Sequence, residues 1–440
     1  MRSKLPKVLQ PLAGRPLLAH VLDTAETLKP EQIVVVYGYG GEQVREYFAD
    51  RELNWVKQAP QLGTGHAVQQ AMPSVDASHT VVVMSGDVPL VRSETVRNLA
   101  SAAGDQNLAL LTFDAADAAG CGRIVRGEAG EVLAIVEERD ATADQRAIKE
   151  IYTGVLACPA RLLGPWLDAL KVKNAQGEYY LTNVASIAAA AGVGVNAVSA
   201  ESATEVMGIN DKRQLAQAER ACQARIADEL MLNGVTLADP QRIDVRGQLK
   251  CDSDVFIDAN VWFEGTVKLG HGVIVGPNCV IRDTTVAAST TIHANSLLDS
   301  ATIGKNCRVG PYARLRPGVE MAEKSRVGNF VEVKKSTIGK GSKVNHLTYI
   351  GDTDIGADVN VGAGTITCNY DGADKQRTVI GDNAFIGSGV ELVAPVEIGA
   401  GATIGAGSTI SKDAPANKLT IERAQQTTVP SWQRPIKKKD

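Results

Sequence analysis

The chain has 440 residues, more than one ordinary core holds, so two domains are expected. A hydrophobic content of 44% marks a globular protein, and a formal net charge of −4 argues against a general nucleic-acid binder. Seven cysteines, scattered without CxxC spacing, suit reduced thiols in a cytosolic protein, and no run of about 18 apolar residues predicts a membrane span.

Residues 1–210 read as an α/β domain. The N-terminus is basic, but Pro6, Pro11 and Pro16 interrupt any apolar stretch a signal peptide would need. Short continuous apolar runs predict strands at Gln32–Gly38, Asn54–Gln58, Thr80–Ser85 and Leu108–Phe113, buried on both faces. Helical patterns lie between them at Leu17–Thr27, Gly41–Ala49, Gly65–Met72 and Ser93–Ala102. The alternation predicts a doubly wound, mostly parallel sheet, whose ligand sits at the C-terminal ends of the strands. Ser85-Gly86-Asp87 lies at such an end. Read on its own, Asp87 is either an oxygen ligand for a hard cation or a turn residue. Gly63-Thr64-Gly65 precedes a helix and offers backbone N–H groups and a hydroxyl to a base or anion; otherwise it is a capping turn. Lys4 to Leu9 is a small basic cluster, a solvated face or a phosphate contact.

Residues 211–234 predict a connecting helix. Asp211 caps its start, Gly234 ends it, and Leu215, Ala218, Cys222, Ile226 and Leu230 give it one apolar face.

Residues 235–440 form the second domain. From Leu269 to Ile410 an aliphatic residue recurs at every sixth position, as in Ile303, Val309, Leu315, Met321, Val327 and Val333. That period suits a short strand plus a tight turn, stacked coil on coil into a parallel β-helix with the aliphatics on its axis. The recurrent Gly and Asn suit turns with positive φ. The period slips to five at four places, Ile281→Val286 being the first, and breaks between Thr367 and Ile380. Cys368-Asn369-Tyr370-Asp371-Gly372 fills that break and predicts a projecting loop. His346 interrupts one repeat, and Arg314, Arg316, Lys334 and Lys335 lie one or two coils earlier. A coil of roughly 18 residues stacks these basic groups near one edge, where they bind a sugar phosphate or form a charged face. A neutral His beside them can accept a proton. The histidines are isolated, which speaks against a metal site in the solenoid. Beyond Lys412 the period is lost. Trp432, Arg434 and Lys437-Lys438-Lys439 are expected to cover a CoA phosphate, to pack on a neighbour, or to stay disordered.

The order LPKVL, QLGTGHA, SGDVPL, GCGRIV, VEERDAT, NAQGEYYLT and then hexapeptide repeats resembles one family over essentially the whole chain. It is the bifunctional enzyme that makes UDP-N-acetylglucosamine, joining an N-acetylglucosamine-1-phosphate uridyltransferase to a glucosamine-1-phosphate N-acetyltransferase. The resemblance implies a left-handed β-helix, a cytoplasmic homotrimer, a Mg²⁺ cofactor, and UTP, acetyl-CoA and amino-sugar phosphates as substrates. It implies neither a nucleic-acid nor a membrane partner. Lys7 resembles the lysine that meets substrate phosphates; Gln58, Gly63 and Thr64 resemble the uracil-reading residues. Asp87, in the Ser85-Gly86-Asp87 turn, resembles the Mg²⁺ ligand, with Asn210 its partner. Gly122 and Glu137 resemble residues that hold the amino sugar. In the second domain, His346 resembles the general base and Glu332 an acidic residue near the amine. Arg316, Lys334, Tyr349 and Asn360 resemble phosphate and sugar contacts. Asn369 and Tyr370 resemble residues at the acetyl group, and Ala363, Ser388, Ala406 and Arg423 the acetyl-CoA contacts.

Two departures stand out. The family opens with a strand and a glycine-rich loop, L-A-A-G-x-G-T-x-M, ahead of LPKVL, and the present sequence begins close to where that motif ends. A late start at an internal Met or a genuine short form is expected, with unpaired edges on the neighbouring strands and, in the short form, acetyl transfer as the surviving activity. Tyr152 in EIYTG stands where the family has an Asn on the sugar, so its hydroxyl substitutes or sugar binding weakens. The rival readings are a fusion acting on another sugar and a non-catalytic trimeric scaffold.

Overall fold

The structure, a computed structural model, describes every residue except 39, 173, 436 and 438–440. Lys438 and Lys439 of the basic tail therefore lie outside the described residues. The chain divides into two compact units, Met1–Cys222 and Gln223–Asp440.

In the first unit the predicted strands appear at Val34–Tyr37, Asn54–Lys57, Thr80–Val83 and Leu108–Asp114. The predicted helices appear at Leu17–Glu26, Gly41–Tyr47, Thr64–Ala71 and Ser93–Ala103. The sheet is less parallel than expected. Its central strand, Glu150–Pro159, runs antiparallel to Thr80–Val83, Leu108–Asp114 and Gly122–Arg126. Among the described residues of this unit, parallel pairing is confined to Leu108–Asp114 with Val195–Ser199, and to Val34–Tyr37 with Asn54–Lys57. The latter two make a separate sheet, packed through Val35 and Trp55 on Leu18, Leu22, Val44 and Phe48.

A cavity of about 1820 Å³ separates that small sheet from the larger one. Val34–Val36 line one side and Val81–Val83 the other. Among the described residues Val34–Tyr37 pairs only with Asn54–Lys57, and Thr80–Val83 only with Glu150–Pro159. Both strands are half-buried, not buried on both faces as their apolar runs suggest.

The connecting helix spans Lys212–Leu232. The Asp211 carboxylate accepts from the backbone N–H groups of Arg213 and Gln214 at 2.8 and 2.9 Å, which satisfies donors the first turn leaves open. Gly234, at φ +89°, ends the helix, and the Val235 N–H closes back on the Leu230 carbonyl at 3.0 Å.

The second unit is one continuous parallel ladder of strands, each two to nine residues long, wound as a β-helix. Val275 pairs with Ile292, then Val309, Val327, Val344, Val361, Ile386 and Ile404, one residue per coil, all at most 3% exposed. The axis is thus a column of aliphatics, each contributing about 1.5–3 kcal/mol by burial. Along the column from Ile257 to Ile404 coils take 17 or 18 residues, and the five-residue steps read in the sequence are the 17-residue coils. Only Val361 to Ile386 takes 25, the excess being the loop after Cys368.

The turns separate two demands that the sequence merges. Asn278, Asn295 and Asn306 adopt φ near +60° and meet the expectation for left-handed positions. Gly339 does not have positive φ; a Cβ there would lie 2.1 Å from the carbonyl oxygen of Gly356 in the next coil. Glycine directly after the axial aliphatic is thus fixed by how closely the coils approach.

Candidate active sites

The first site lies on the cavity of unit 1, which Lys7, Thr64, Ser85, Gly86, Asp87, Gly122, Glu137 and Tyr152 all line. Lys7 sits in a single 3-10 turn, Lys7–Leu9. Its ammonium donates to the Asp87 carboxylate and, at 2.8 Å, to Asn210 Oδ1. The two oxygens expected to share a cation therefore converge, although 123 residues separate them in sequence. The Ile209 N–H donates to the Asp87 carbonyl at 3.0 Å and holds the two segments together. Two oxygen donors, one anionic, suit a hard divalent cation that takes further oxygens from a triphosphate.

Gln58 follows the Asn54–Lys57 strand and is 9% exposed. Its Nε2 donates to the Gly63 carbonyl at 2.9 Å and to His66 Nδ1 at 3.1 Å. Gly63 has φ +112°, and a Cβ there would meet the Tyr179 carbonyl at 2.6 Å. Glycine is required on both counts. Thr64 does not cap the helix it begins; its hydroxyl accepts from the Leu181 N–H at 3.1 Å. The loop Gly63–Gly65 is thereby fastened to the EYYLT segment, with Gly65 N–H on the Tyr179 carbonyl at 2.8 Å.

Deeper in the cavity Gly122 pairs with Tyr152, and a Cβ on Gly122 would lie 3.7 Å from Glu137 Oε2. Glu137 accepts from the Thr182 hydroxyl at 3.0 Å. Burial pushes the Glu137 carboxyl above its usual range, an effect the Thr182 bond opposes. The Tyr152 hydroxyl is buried with no hydrogen-bond partner, and burial pushes its phenol up. Thr182 and His66 belong to this site but carried no signal in the sequence beyond standing inside its motifs.

The second site lies on one corner of the β-helix. Arg314 pairs with Glu332, and Glu332 with Tyr349, so the three stack on successive coils. Arg316 donates to the Glu332 carboxylate at 2.9 Å, and Arg314 approaches it at 3.7 Å. Lys334 lies 3.9 Å from Asp352, whose carboxylate also accepts from Asn369 Nδ2. The Tyr349 hydroxyl and Asn369 Nδ2 crowd Gly351, where a Cβ would meet them at 2.5 and 2.7 Å. Tyr370 folds over the loop, its hydroxyl on the Gly372 carbonyl at 2.6 Å and Lys375 3.9 Å above its ring. Asn360 sits in the adjoining ladder, paired with Lys343 and Phe385.

His346 stacks on Asn329, and its Nδ1 lies 2.9 Å from Asn329 Oδ1. That oxygen is an acceptor, so Nδ1 carries the proton and Nε2 is left unprotonated. Neither residue has a described contact with Arg316 or Lys334. Within one chain the expected base and the expected phosphate contacts form two neighbouring groups rather than one. Ala363, Ser388 and Ala406 line a third column. The Gly389 N–H reaches the Ala363 carbonyl at 2.8 Å, the Gly407 N–H reaches Ser388 at 2.9 Å, and Arg423 lies beside Gly407.

An α/β domain whose cavity-lining lysine holds a carboxylate and an amide oxygen, followed by a hexapeptide β-helix, defines a two-domain transferase. Residues 1–165 match the MobA-like NTP transferase domain, and residues 377–412 the bacterial transferase hexapeptide (six repeats), a left-handed β-helix family. The chain is 53% identical, over 100% of its length and 97% of the relative's, to the bifunctional protein GlmU of Azoarcus sp. strain BH72. It is 53% identical to the GlmU of Chromobacterium violaceum and 54% to that of Paraburkholderia xenovorans, over 96% and 97% of those chains. The chain belongs to the bifunctional GlmU family. It is an N-acetyltransferase and a nucleotidyltransferase in UDP-N-acetylglucosamine biosynthesis, of a family consistent with divalent-metal use. No described helix is long and apolar enough to cross a membrane.

Proposed function

We propose that the second unit moves the acetyl group of acetyl-CoA to glucosamine-1-phosphate and that the first then joins the product to the uridylyl group of UTP. The observation that carries this reading is the convergence of Asp87 and Asn210 on the Lys7 ammonium, with Lys7, Asp87 and Thr64 lining one cavity.

In acetyl transfer, His346 Nε2 takes a proton from the sugar amine. The freed lone pair attacks the thioester carbonyl, and the tetrahedral intermediate expels CoA as thiolate, which is then protonated. Asn329 holds the imidazole in the required tautomer. Arg316 and Lys334 take the sugar phosphate, with Glu332, Tyr349 and Asn360 on the sugar. Asn369 and Tyr370 bound the acetyl group, and Ala363, Ser388, Ala406 and Arg423 follow the CoA. Tyr312, Phe330 and Leu347 project from left-handed corners of successive coils and are 52%, 56% and 63% exposed. Tyr312 and Phe330 stack at 5.2 Å. Bulky apolar groups in a strained conformation beside His346 suit burial against a second copy of the chain, in a homotrimer whose subunits bring His346 and Arg316 to one substrate.

In uridyl transfer, an oxygen of the sugar phosphate attacks the α-phosphorus of UTP in line, and pyrophosphate leaves. Lys7 neutralises phosphate charge, Gln58, Gly63 and Thr64 hold uracil, and Glu137, Gly122 and Tyr152 hold the sugar. Asp87 and Asn210 would hold Mg²⁺, which supplies charge neutralisation at the transferred phosphates. The setting is the cytoplasm, where the product feeds cell-envelope polysaccharide. The test is pyrophosphate release from UTP and N-acetylglucosamine-1-phosphate, with and without Mg²⁺, at a protein concentration where sedimentation gives the oligomer. Mg²⁺-dependent release by a trimer supports the reading; release indifferent to chelator, or an active monomer in acetyl transfer, overturns the corresponding part.

A further inference from the structure

We infer that His66 is a positioning residue that selects the base of the nucleotide through Gln58, an inference that rests on Gln58 facing uracil. The Gln58 amide can be turned either way about its last bond, and the two ways present opposite hydrogen-bonding characters to a base. Its surroundings choose one. The Gly63 carbonyl can only accept, and it takes one Nε2 proton at 2.9 Å. His66 Nδ1 takes the other at 3.1 Å. Both amide protons are therefore consumed inside the protein. Among the described residues no protein group donates to Gln58 Oε1, so the oxygen is left for a ligand.

The imidazole must then accept at Nδ1 and carry its proton at Nε2. Gln70 faces Nε2 with its own amide Nε2 at 3.2 Å, so satisfying that N–H requires the Gln70 amide to turn about its last bond and offer its oxygen. The direction of the network is set at its Gly63 end, where the carbonyl only accepts, and with the Gln70 amide turned it runs from His66 through Gln58 and leaves Gln58 Oε1 as an acceptor. The His66 ring is also held from outside the chain, tilted against Tyr179 at 6.3 Å. Tyr179 is the residue whose backbone clamps the Gly63–Gly65 loop.

An acceptor at this position pairs with the N3–H of uracil. It opposes the bare N3 of cytosine, which is itself an acceptor. Without an acceptor at His66 Nδ1, only the Gly63 carbonyl holds the amide, and the turned form, which offers N–H₂, becomes accessible. Base discrimination should then fall while the chemistry at the phosphates is untouched.

The experiment measures KM and kcat for UTP and for CTP in pyrophosphate release, on the full chain. The variants are His66→Leu, His66→Asn and Gln58→Ala, with acetyl transfer as the check on folding. His66→Leu should raise the KM for UTP and lower the ratio of UTP to CTP kcat/KM, each about tenfold, with kcat nearly unchanged. His66→Asn, whose Oδ1 can stand where Nδ1 stood, should recover most of the ratio. Gln58→Ala should lose it whatever occupies position 66. If Gln58→Ala costs discrimination and His66→Leu does not, the positioning role is wrong and the base-reading role of Gln58 stands. If Gln58→Ala leaves the ratio unchanged, the base-reading role fails, and with it this inference. If His66→Leu lowers kcat for both nucleotides equally and His66→Asn does not restore it, His66 is structural only.

Discussion

The His346 imidazole donates through Nδ1 to Asn329 Oδ1 at 2.9 Å, one coil below it in the β-helix. The ladder register that stacks the two also fixes the tautomer of the proposed base. Removing the acceptor lets the ring turn and take the other tautomer. Asn329→Ala should lower kcat for acetyl transfer about tenfold or more, below the loss of about 10²–10⁴ expected for His346→Ala. Asn329→Asp should retain more activity, because it keeps an acceptor. Pyrophosphate release measured in parallel should not change.

Tyr152 carries a buried hydroxyl with no partner. Leaving it unmade costs stability, and on the proposed reading the partner it lacks is an amino sugar. Tyr152→Phe should therefore stabilise the first unit by about 1 kcal/mol and raise the KM for N-acetylglucosamine-1-phosphate. Thermal unfolding and sugar-phosphate kinetics check the two halves. A destabilised variant with unchanged KM would show that the hydroxyl is satisfied by something other than sugar.

Glu137 has its carboxyl raised by burial. The folded state therefore holds that proton more tightly than the unfolded chain does. The group contributes most to stability below the unfolded pKa, and the contribution is lost as pH rises through the raised folded value. Glu137→Gln, which cannot ionise, should be more stable than the parent at neutral pH, with the gap closing as pH falls into the carboxylate range. Urea midpoints at several pH values read this directly. The same variant should bind the amino sugar less well.

At Gly351 the Tyr349 hydroxyl and Asn369 Nδ2 both need the space a Cβ would take. Gly351→Ala should push both away, raising the KM values for glucosamine-1-phosphate and acetyl-CoA about tenfold while uridyl transfer persists. Unchanged kinetics would remove Tyr349 and Asn369 from the site.

The β-helix was legible because a period of six leaves a mark on every coil. The columns from Val275 to Ile404 and the loop after Cys368 follow from counting alone. The strands Gly122–Arg126, Val132–Val136 and Glu150–Pro159 were not read, since their hairpins and bulges break alternation. That omission is why the first sheet was expected to be mostly parallel. The site residues came from a likeness of motifs, and the structure brings Lys7, Asp87 and Asn210 together. Asn329, Asp352, His66 and Thr182 escaped notice because they act through other side chains. Only coil register and loop docking bring them into contact, and no spacing rule encodes either.

The central claim is that one chain carries two independent active sites, one on the cavity at Asp87 and one on the β-helix at His346. The most direct measurement assays both reactions on the full chain with His346→Ala and Asp87→Ala. The account predicts a crossed result: His346→Ala loses acetyl transfer and keeps Mg²⁺-dependent pyrophosphate release, and Asp87→Ala does the reverse. Loss of both activities in a variant that still folds, or of neither, would contradict it.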